Sequence, residues 1–305
     1  MKRITVIIPT FNRPEKLKMG LTALERQTDH DFSVLIVNDG SLPENLEKYL
    51  QLVSNTTLSC KLISQENKGI AGATNTGINA APNGLIILTD DDIIPSPTFI
   101  EQHRKHHATI PDSILTGKAL FDLSYAKTDV QRYKNFMDEE WIRILFPEKK
   151  SLNRLTVENF TLTAANMSFE KKLVDIIGGF REDLKDCQDF EFGLRAFKNG
   201  IPIYYDLNLM VHHNDSITLK YYANRQQSYA RFKKKALDSY PEYSSIMNRR
   251  AMENYSTKKN KLYDFLSRKS ICNFIENSPL IRIIPRFIRY RIYGSTIAAL
   301  SREVL

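Results

Sequence analysis

Cysteine is scarce in this sequence: Cys60, Cys187 and Cys272 are the only three among 305 residues. They are far apart, odd in number and form no CxxC pair. That argues against a disulfide framework and a thiolate zinc site, and leaves buried free thiols as the expectation. No apolar run reaches the ~18 residues of a spanning helix. The short stretch Ile4 to Ile8 is too brief for a secretory signal core, so a cytoplasmic chain is expected. Glycine and proline, 12 of each, are too few for a fibrous or low-complexity chain. Neither GxGxxG nor GxxxxGK[ST] occurs, which removes the main support for dinucleotide-binding and P-loop readings. No internal repeat is visible.

What is present reads as a globular protein. Hydrophobic residues make up 42% and charged residues 26%, and 305 residues suit one large domain with an appendage, or two domains. The net charge of +8 is unevenly placed. From Lys258 onward ten basic residues face Asp264, Glu276 and Glu303, a net of +7, so the preceding 257 residues carry only +1. Basicity belongs to the C-terminal segment. A basic stripe inside the fold, the usual footprint of nucleic-acid binding, is missing, and no nucleic-acid partner is expected.

The first 110 residues alternate short apolar runs with helical patterns. Ile4 to Ile8 is β-rich and stops at Pro9. Pro14 to Thr28 is expected to be helical, with Leu17, Leu21 and Leu24 at helical spacing. Val34 to Val37 is a second strand, closed by Asn38-Asp39-Gly40-Ser41, and Pro43 opens another helix. Leu58 to Ile63 reads as a third strand and Gly69 to Ala81 as a helix rich in small residues. Leu85 to Leu88 is a fourth strand, ending at Thr89-Asp90-Asp91-Asp92. These runs are continuously apolar. They predict strands buried on both faces, in an α/β fold with a mostly parallel, Rossmann-like sheet flanked by helices. Farther on, Thr161 to Phe169 reads as extended, Lys171 to Ile177 as helical, and Asp189 to Asn199 as a helix capped by Gly200. Beyond Thr218 the chain is mainly helical. The expected domains are 1–217, with halves at about 1–110 and 111–217, and a helical basic region at 218–305.

Open α/β sheets bind ligands at the carboxyl ends of their strands. Asp39 ends the second strand, and Asp90, Asp91 and Asp92 follow the fourth. Like charges about 5 Å apart repel by roughly 3 kcal/mol per pair at an effective dielectric near 20. A divalent cation, Mn2+ or Mg2+, is the natural offset for such hard oxygen ligands. A second constellation is Asp186-Cys187-Gln188-Asp189, where Asp189 falls at a helix N-terminus favoured by capping and by the macrodipole. A third is His212-His213 after the extended Leu209-Met210-Val211. Neighbours on a strand face opposite ways, so one of the two points at any given site. Each feature alone has a plain structural explanation: a solvated acidic turn, a helix cap, a core or surface histidine. Together they suggest one chemistry. A metal at Asp92, its shell completed by one histidine, would bridge the phosphates of a nucleotide-sugar. A separate carboxylate would take the proton of an acceptor hydroxyl.

At this point the chain resembles the inverting GT-A glycosyltransferases of family 2. Val6-Ile7-Ile8-Pro9-Thr10-Phe11-Asn12-Arg13 is similar to the family's opening strand and nucleotide-binding turn, and Val37-Asn38-Asp39-Gly40-Ser41 to its second. Asn67-Lys68-Gly69, Gly72, Asn75-Thr76-Gly77 and Ala80-Ala81 are similar to the stretch before the DxD strand, and Asp90-Asp91-Asp92 matches DxD itself. Ala165-Asn166-Met167-Ser168-Phe169, Gly178-Gly179-Phe180 and Gln188-Asp189 resemble the acceptor-side block. The pieces occur in the family's order over roughly residues 3 to 220.

The resemblance implies a GT-A nucleotide-diphospho-sugar transferase fold. It also implies metal-dependent transfer of a sugar, with inversion, to an acceptor hydroxyl in polysaccharide or glycoconjugate synthesis. Donor contacts would come from Pro9, Thr10, Asn12, Asp39, Asn67, Gly72, Asn75, Asp90 and Asp91. Asp92 with His213 or His212 would hold Mn2+ or Mg2+. Asn166, Gly178, Gly179 and Gln188 would meet the acceptor, and Asp189 would be the base. A UDP-sugar donor and a saccharide or lipid-linked saccharide acceptor are implied. Two departures stand out: Gln188 where the family commonly has Glu, and Thr74 where it often has Arg.

A nucleotidyltransferase would want a Gly-rich basic loop after the first strand, where this chain has Thr10-Phe11-Asn12-Arg13-Pro14. A catalytically silent sugar-nucleotide or glycan-binding module is disfavoured by Asp39, Asp92 and Asp189 standing together. Trp141 and Tyr133 are of the type that stacks on sugar rings, but core packing is the favoured reading. Residues 279 to 293 read as a basic amphipathic helix, with Arg282, Arg286 and Arg289 at i, i+4, i+7 and Ile283, Ile284, Phe287 and Ile288 to one side. Such a helix suits an anionic membrane surface, or docking on the catalytic domain or on another subunit of a homo-oligomer.

Overall fold

The computed structural model describes residues 3–214, 217–247 and 257–301. Two compact units emerge: Met1–Leu120 with Leu145–Asn214, and Phe121–Ile144 with Asp215–Leu305.

The first unit opens with β1 (Ile4–Thr10), α1 (Pro14–Leu24), β2 (Ser33–Asp39), α2 (Pro43–Asn55), β3 (Cys60–Gln65), α3 (Gly69–Ala80) and β4 (Leu85–Leu88). It continues with β5 (Ile93–Pro95), α4 (Phe99–Thr109) and β6 (Ile114–Phe121). After α5 (Asp129–Leu145) come β7 (Leu152–Arg154), β8 (Met167–Glu170), α6 (Leu173–Ile177), α7 (Gln188–Lys198) and β9 (Ile203–His213). The strands form one sheet in the order β3-β2-β1-β4-β8-β6-β9-β5, with β7 added on β9. β3-β2-β1-β4 is parallel, the half read from the apolar runs, and β8 joins it antiparallel with Leu88 opposite Met167. Pro14 and Pro43 stand in the first turns of α1 and α2, where their missing N–H costs nothing.

Every residue of β1 and all but Ser33 of β2 are buried, as unbroken apolar runs require. Burying each Ile, Val or Leu there contributes about 1.5–3 kcal/mol. The expectation of two buried faces fails for β3. It is the sheet's edge strand, only half-buried, with Lys61 and Ser64 exposed. α3 lies so close to the sheet that a Cβ on Gly77 would stand 2.4 Å from the Ile7 side chain. The extended stretch expected at Thr161 to Phe169 is a strand only from Met167, a short 3-10 turn at Ala164–Asn166 intervening. Gly200 takes a φ of +71° just past α7, as a C-cap glycine does.

α4 carries three buried histidines. Ser168 Oγ lies 2.7 Å from His103 Nδ1 and 2.8 Å from His107 Nε2, and Ser113 Oγ lies 3.0 Å from His106 Nε2. Burial, reinforced by repulsion from His107 and His106, holds His103 far below the ordinary imidazole range. Burial likewise pushes His106 down to about 4.

In the second unit α5 stands with α8 (Leu219–Leu237), α9 (Pro241–Met247), α10 (Thr257–Leu266), α11 (Lys269–Asn277), α12 (Pro279–Ile283) and α13 (Arg286–Ser301). Its core holds Val130, Tyr133, Leu219, Tyr222, Ile281, Tyr293 and Ile297. Tyr133 packs edge-on against Tyr222, Tyr290 and Tyr293, as a core residue should. Trp141 does not, being 45% exposed on α5. The single helix expected over 279–293 is two helices, because Pro285 cannot supply an N–H to continue α12. Arg289 is also not on the solvent face: it turns inward to pair with Asp129 and to donate to the Ile284 carbonyl at 2.8 Å. All three cysteines are free, and burial pushes the half-buried Cys60 thiol up to about 11.

Candidate functional site

The carboxyl ends of β1, β2 and β4 lie side by side, so Thr10, Asp39 and the Asp90–Asp92 turn share one edge of the sheet. The chain leaves β4, turns through the three aspartates and enters β5. β5 pairs antiparallel with the end of β9, with Ile93 opposite His213 and Ile94 opposite His212. This register carries His213 to the turn: its Nδ1 stands 3.3 Å from Asp92 Oδ1, and Asn214 N donates to the Asp92 carbonyl at 3.0 Å. One donor atom each from Asp90, Asp92 and His213 lies within 4.8 Å of the others. Among the described residues this is the one cluster of His, Cys, Asp and Glu so arranged. Two carboxylates and an imidazole fit a divalent cation such as Mn2+ or Mg2+. His212 lies outside the set, since alternation along β9 turns it away; its Nδ1 is buried without a hydrogen-bond partner.

The three aspartates have different surroundings. Asp91 points inward, accepting from Thr10 Oγ1 at 2.8 Å and from Arg13 Nη1 at 3.4 Å. Burial pushes its carboxyl up to about 6, against the pull of Thr10 and Arg13. Burial would raise Asp92 too, but the hydrogen bond and charge of His213, with Arg13 and Lys16, outweigh it and hold Asp92 below the ordinary value. Arg13 Nη1 also reaches Asp92 Oδ2 at 3.3 Å. Arg13 thus supplies part of the positive charge that an acidic triplet demands. Its signal in the sequence was its place just past the end of β1, which only the strand order β1-β4 sets against the aspartates.

The other donor-side candidates tie the loops together. Thr10 Oγ1 sits 3.1 Å from the hydroxyl of the buried Tyr49, which accepts from Arg13 N at 2.9 Å. Asn12, at a φ of 56°, donates its N–H to Ser41 Oγ at 2.9 Å and accepts from Leu42 N at 2.9 Å. Asp39 Oδ1 accepts from Gln65 Nε2 at 2.7 Å and from Lys68 N at 2.8 Å, and Asn67 Nδ2 donates to the Asp39 carbonyl at 2.9 Å. Gly40 is required: at φ +76° a Cβ would meet Asn67 N at 2.7 Å. Pro9 is buried within β1, one residue before Thr10. Gly72 makes room for its own surroundings, since a Cβ there would stand 2.5 Å from the Lys68 side chain.

On the other flank, Asp189 is the second residue of α7. Its Oδ2 accepts from Ala164 N at 3.1 Å and its Oδ1 from Phe190 N at 2.8 Å. Ala164 stands three residues before Met167, which pairs with Leu88, itself two residues before Asp90. These short steps put Asp189 on the same sheet edge as the aspartate turn, with Gln188 beside it at the start of α7.

Two further candidates, one from each side, make contacts within the fold. Asn166 is fully buried and donates to the carbonyls of Lys118 and Leu209 at 3.0 and 3.2 Å, stitching β6 to β9. Asn75, expected on the donor side, clamps the Gly178–Phe180 loop: it accepts from Phe180 N at 2.7 Å and donates to Phe180 O at 2.9 Å. Gly178, at φ +84°, and Gly179 lie in that loop; a Cβ on Gly179 would stand 2.8 Å from Asn75 Oδ1. From below, Arg195 holds it, donating to Ile177 O at 2.6 Å and Gly179 O at 2.7 Å while paired at 2.8 Å with the fully buried Glu191. This ion pair carried no sequence signal beyond its i,i+4 spacing.

A parallel half-sheet with an Asp-x-Asp turn and a facing histidine at its strand ends defines the GT-A class of nucleotide-sugar transferase folds. The chain belongs to glycosyl transferase family 2, whose model matches residues 5–177. It is 28% identical over 225 residues, 65% of its length, to hyaluronan synthase of Pasteurella multocida, covering 23% of that protein. The chain spans a third or less of the length of the first curated relatives it matches. Among solved structures it is similar to the mannosyltransferase PcManGT of Pyrobaculum calidifontis in complex with GDP-Man and Mn2+. The TM-score is 0.68 at 17% identity, covering 98% of this chain and 85% of that one. It is also similar to Staphylococcus aureus TarS 1-349 in complex with UDP-GlcNAc, with a TM-score of 0.52 at 18% identity over 100% and 83% of the two chains.

Proposed function

We propose that this protein is an inverting glycosyltransferase. It moves a sugar from a nucleotide-diphospho-sugar, a UDP-sugar being the first choice, to a hydroxyl of a saccharide or lipid-linked saccharide acceptor during polysaccharide or glycoconjugate synthesis. The observation that carries the reading is the placement of two separate acidic groups on one sheet edge: Asp90 and Asp92 with His213, and Asp189 at the start of α7. Family membership and the nucleotide-sugar complexes of similar folds support it.

Asp90, Asp92 and His213 would hold Mn2+ or Mg2+, which when bound supplies the positive charge that stabilises a departing diphosphate. Asp189 takes the proton of the acceptor hydroxyl, and the hydroxyl oxygen displaces the nucleoside diphosphate at the anomeric carbon in one step. Hydrogen bonds from Ala164 N and Phe190 N aim the Asp189 carboxylate. No enzyme nucleophile is needed, so the anomeric configuration inverts.

The test is a screen of UDP- and GDP-sugars with Mn2+ and saccharide acceptors, reading nucleoside diphosphate release. Asp189→Asn should lose at least ~100-fold in turnover, the span of general-base catalysis, while still binding donor. Near-normal turnover would remove Asp189 as base, and retained configuration by NMR would remove the single displacement. Pyrophosphate release would point to nucleotidyl transfer.

A further inference from the structure

The second unit turns its apolar side chains two ways. Tyr263, Leu266, Ile275, Ile281, Tyr293 and Ile297 are buried in its core. On the same run of helices Leu280, Ile283, Phe287 and Ile288 face solvent, at 62%, 77%, 66% and 41% exposure. They fall on either side of the Pro285 joint between α12 and α13. Arg282, Arg286 and Arg291 are exposed among them, and no acidic side chain occurs from Ser278 to Ser301. The inward pairing of Arg289 with Asp129 fastens α13 to α5, so the outward side chains stand on an anchored element.

Large apolar side chains exposed together mark a contact surface, and their setting says of what kind. A second copy of this chain docking through the same patch would bring arginine against arginine, which disfavours it. A nucleic acid would engage the arginines but leave Ile283 and Phe287 without an apolar partner. An anionic bilayer satisfies both sets at once: apolar tips reach the acyl boundary while guanidinium groups stay among lipid phosphates.

We propose that α12 and α13 form a docking surface for an anionic lipid bilayer, entered by Leu280, Ile283, Phe287 and Ile288 and held by Arg282, Arg286 and Arg291. The proposal does not rest on the donor chemistry.

Flotation of the full chain tests it, using vesicles of phosphatidylcholine alone or with about a third phosphatidylglycerol, at low and high salt. The chain should float with the anionic vesicles, stay behind with the neutral ones, and be released by high salt. Ile283→Ser with Phe287→Ser should lower the bound fraction at least tenfold at an unchanged melting temperature and unchanged turnover with a soluble acceptor. Arg282→Gln with Arg291→Gln should abolish the preference for anionic lipid. Three outcomes would overturn the proposal. One is no flotation with anionic vesicles at low salt, and another is flotation that the double serine variant leaves intact. The third is a concentration-dependent dimer, without vesicles, that the same variant dissolves.

Discussion

At the residue scale the aspartate turn shows how neighbours in sequence acquire different chemistry. Asp91 faces Thr10 and is pushed toward neutrality by burial, whereas Asp92, one residue on, faces His213 and Arg13 and stays ionised. Asp92→Ala should therefore abolish Mn2+ binding measured by calorimetry, and His213→Ala should weaken it, while His212→Ala should leave it unchanged. Binding of Mn2+ by the Asp92 variant at normal affinity would take that residue out of the ligand set. The acidic residues were legible because they follow apolar strands directly. The choice between His212 and His213 was not, because strand alternation says only that they differ, and the register of β5 on β9 decides which one faces the turn. The structural role of Asn166 was not legible, because its side-chain amide donates to backbone carbonyls of two strands distant in sequence.

At the scale of elements, α7 is organised around a buried charge. Glu191 has no exposed surface, and Arg195 both neutralises it and supports the Gly178–Gly179 loop. Removing one partner of a buried pair strands the other, at a cost of about 3–5 kcal/mol. Arg195→Ala should lower the melting temperature accordingly in differential scanning calorimetry. A change within the scatter of surface variants would show that Glu191 finds another partner. The helices and strands of the first 90 residues were readable from apolar runs and from prolines in first turns. The segment from 150 to 170 was read only in part, as an extended stretch at Thr161 to Phe169, because its short strands are added antiparallel and owe their shape to β4 and β9 rather than to their own pattern.

At the scale of the whole molecule, stability should depend on acid through α4. His103 and His106 stay neutral in the fold, His103 far below and His106 near 4, while an unfolded chain titrates them near the ordinary value of about 6.5. A depressed histidine favours the fold above the unfolded value, and that contribution is lost as pH falls below it. Thermal melts should therefore decline from about pH 6.5 downward, by about 1.4 kcal/mol per pH unit for each histidine. His106→Gln should flatten the slope, and equal slopes in both proteins would exclude His106 as a contributor. The alternation of strand and helix made the parallel half of the sheet legible, whereas the mixed half is set by antiparallel pairing between strands distant in sequence. The outermost strand has a last consequence. β3 leaves a ladder of peptide groups open to whatever strand drifts past, yet Lys61 stands exposed on it. A charge on an open edge repels the same edge of a neighbouring molecule, a common guard against sheets growing edge to edge.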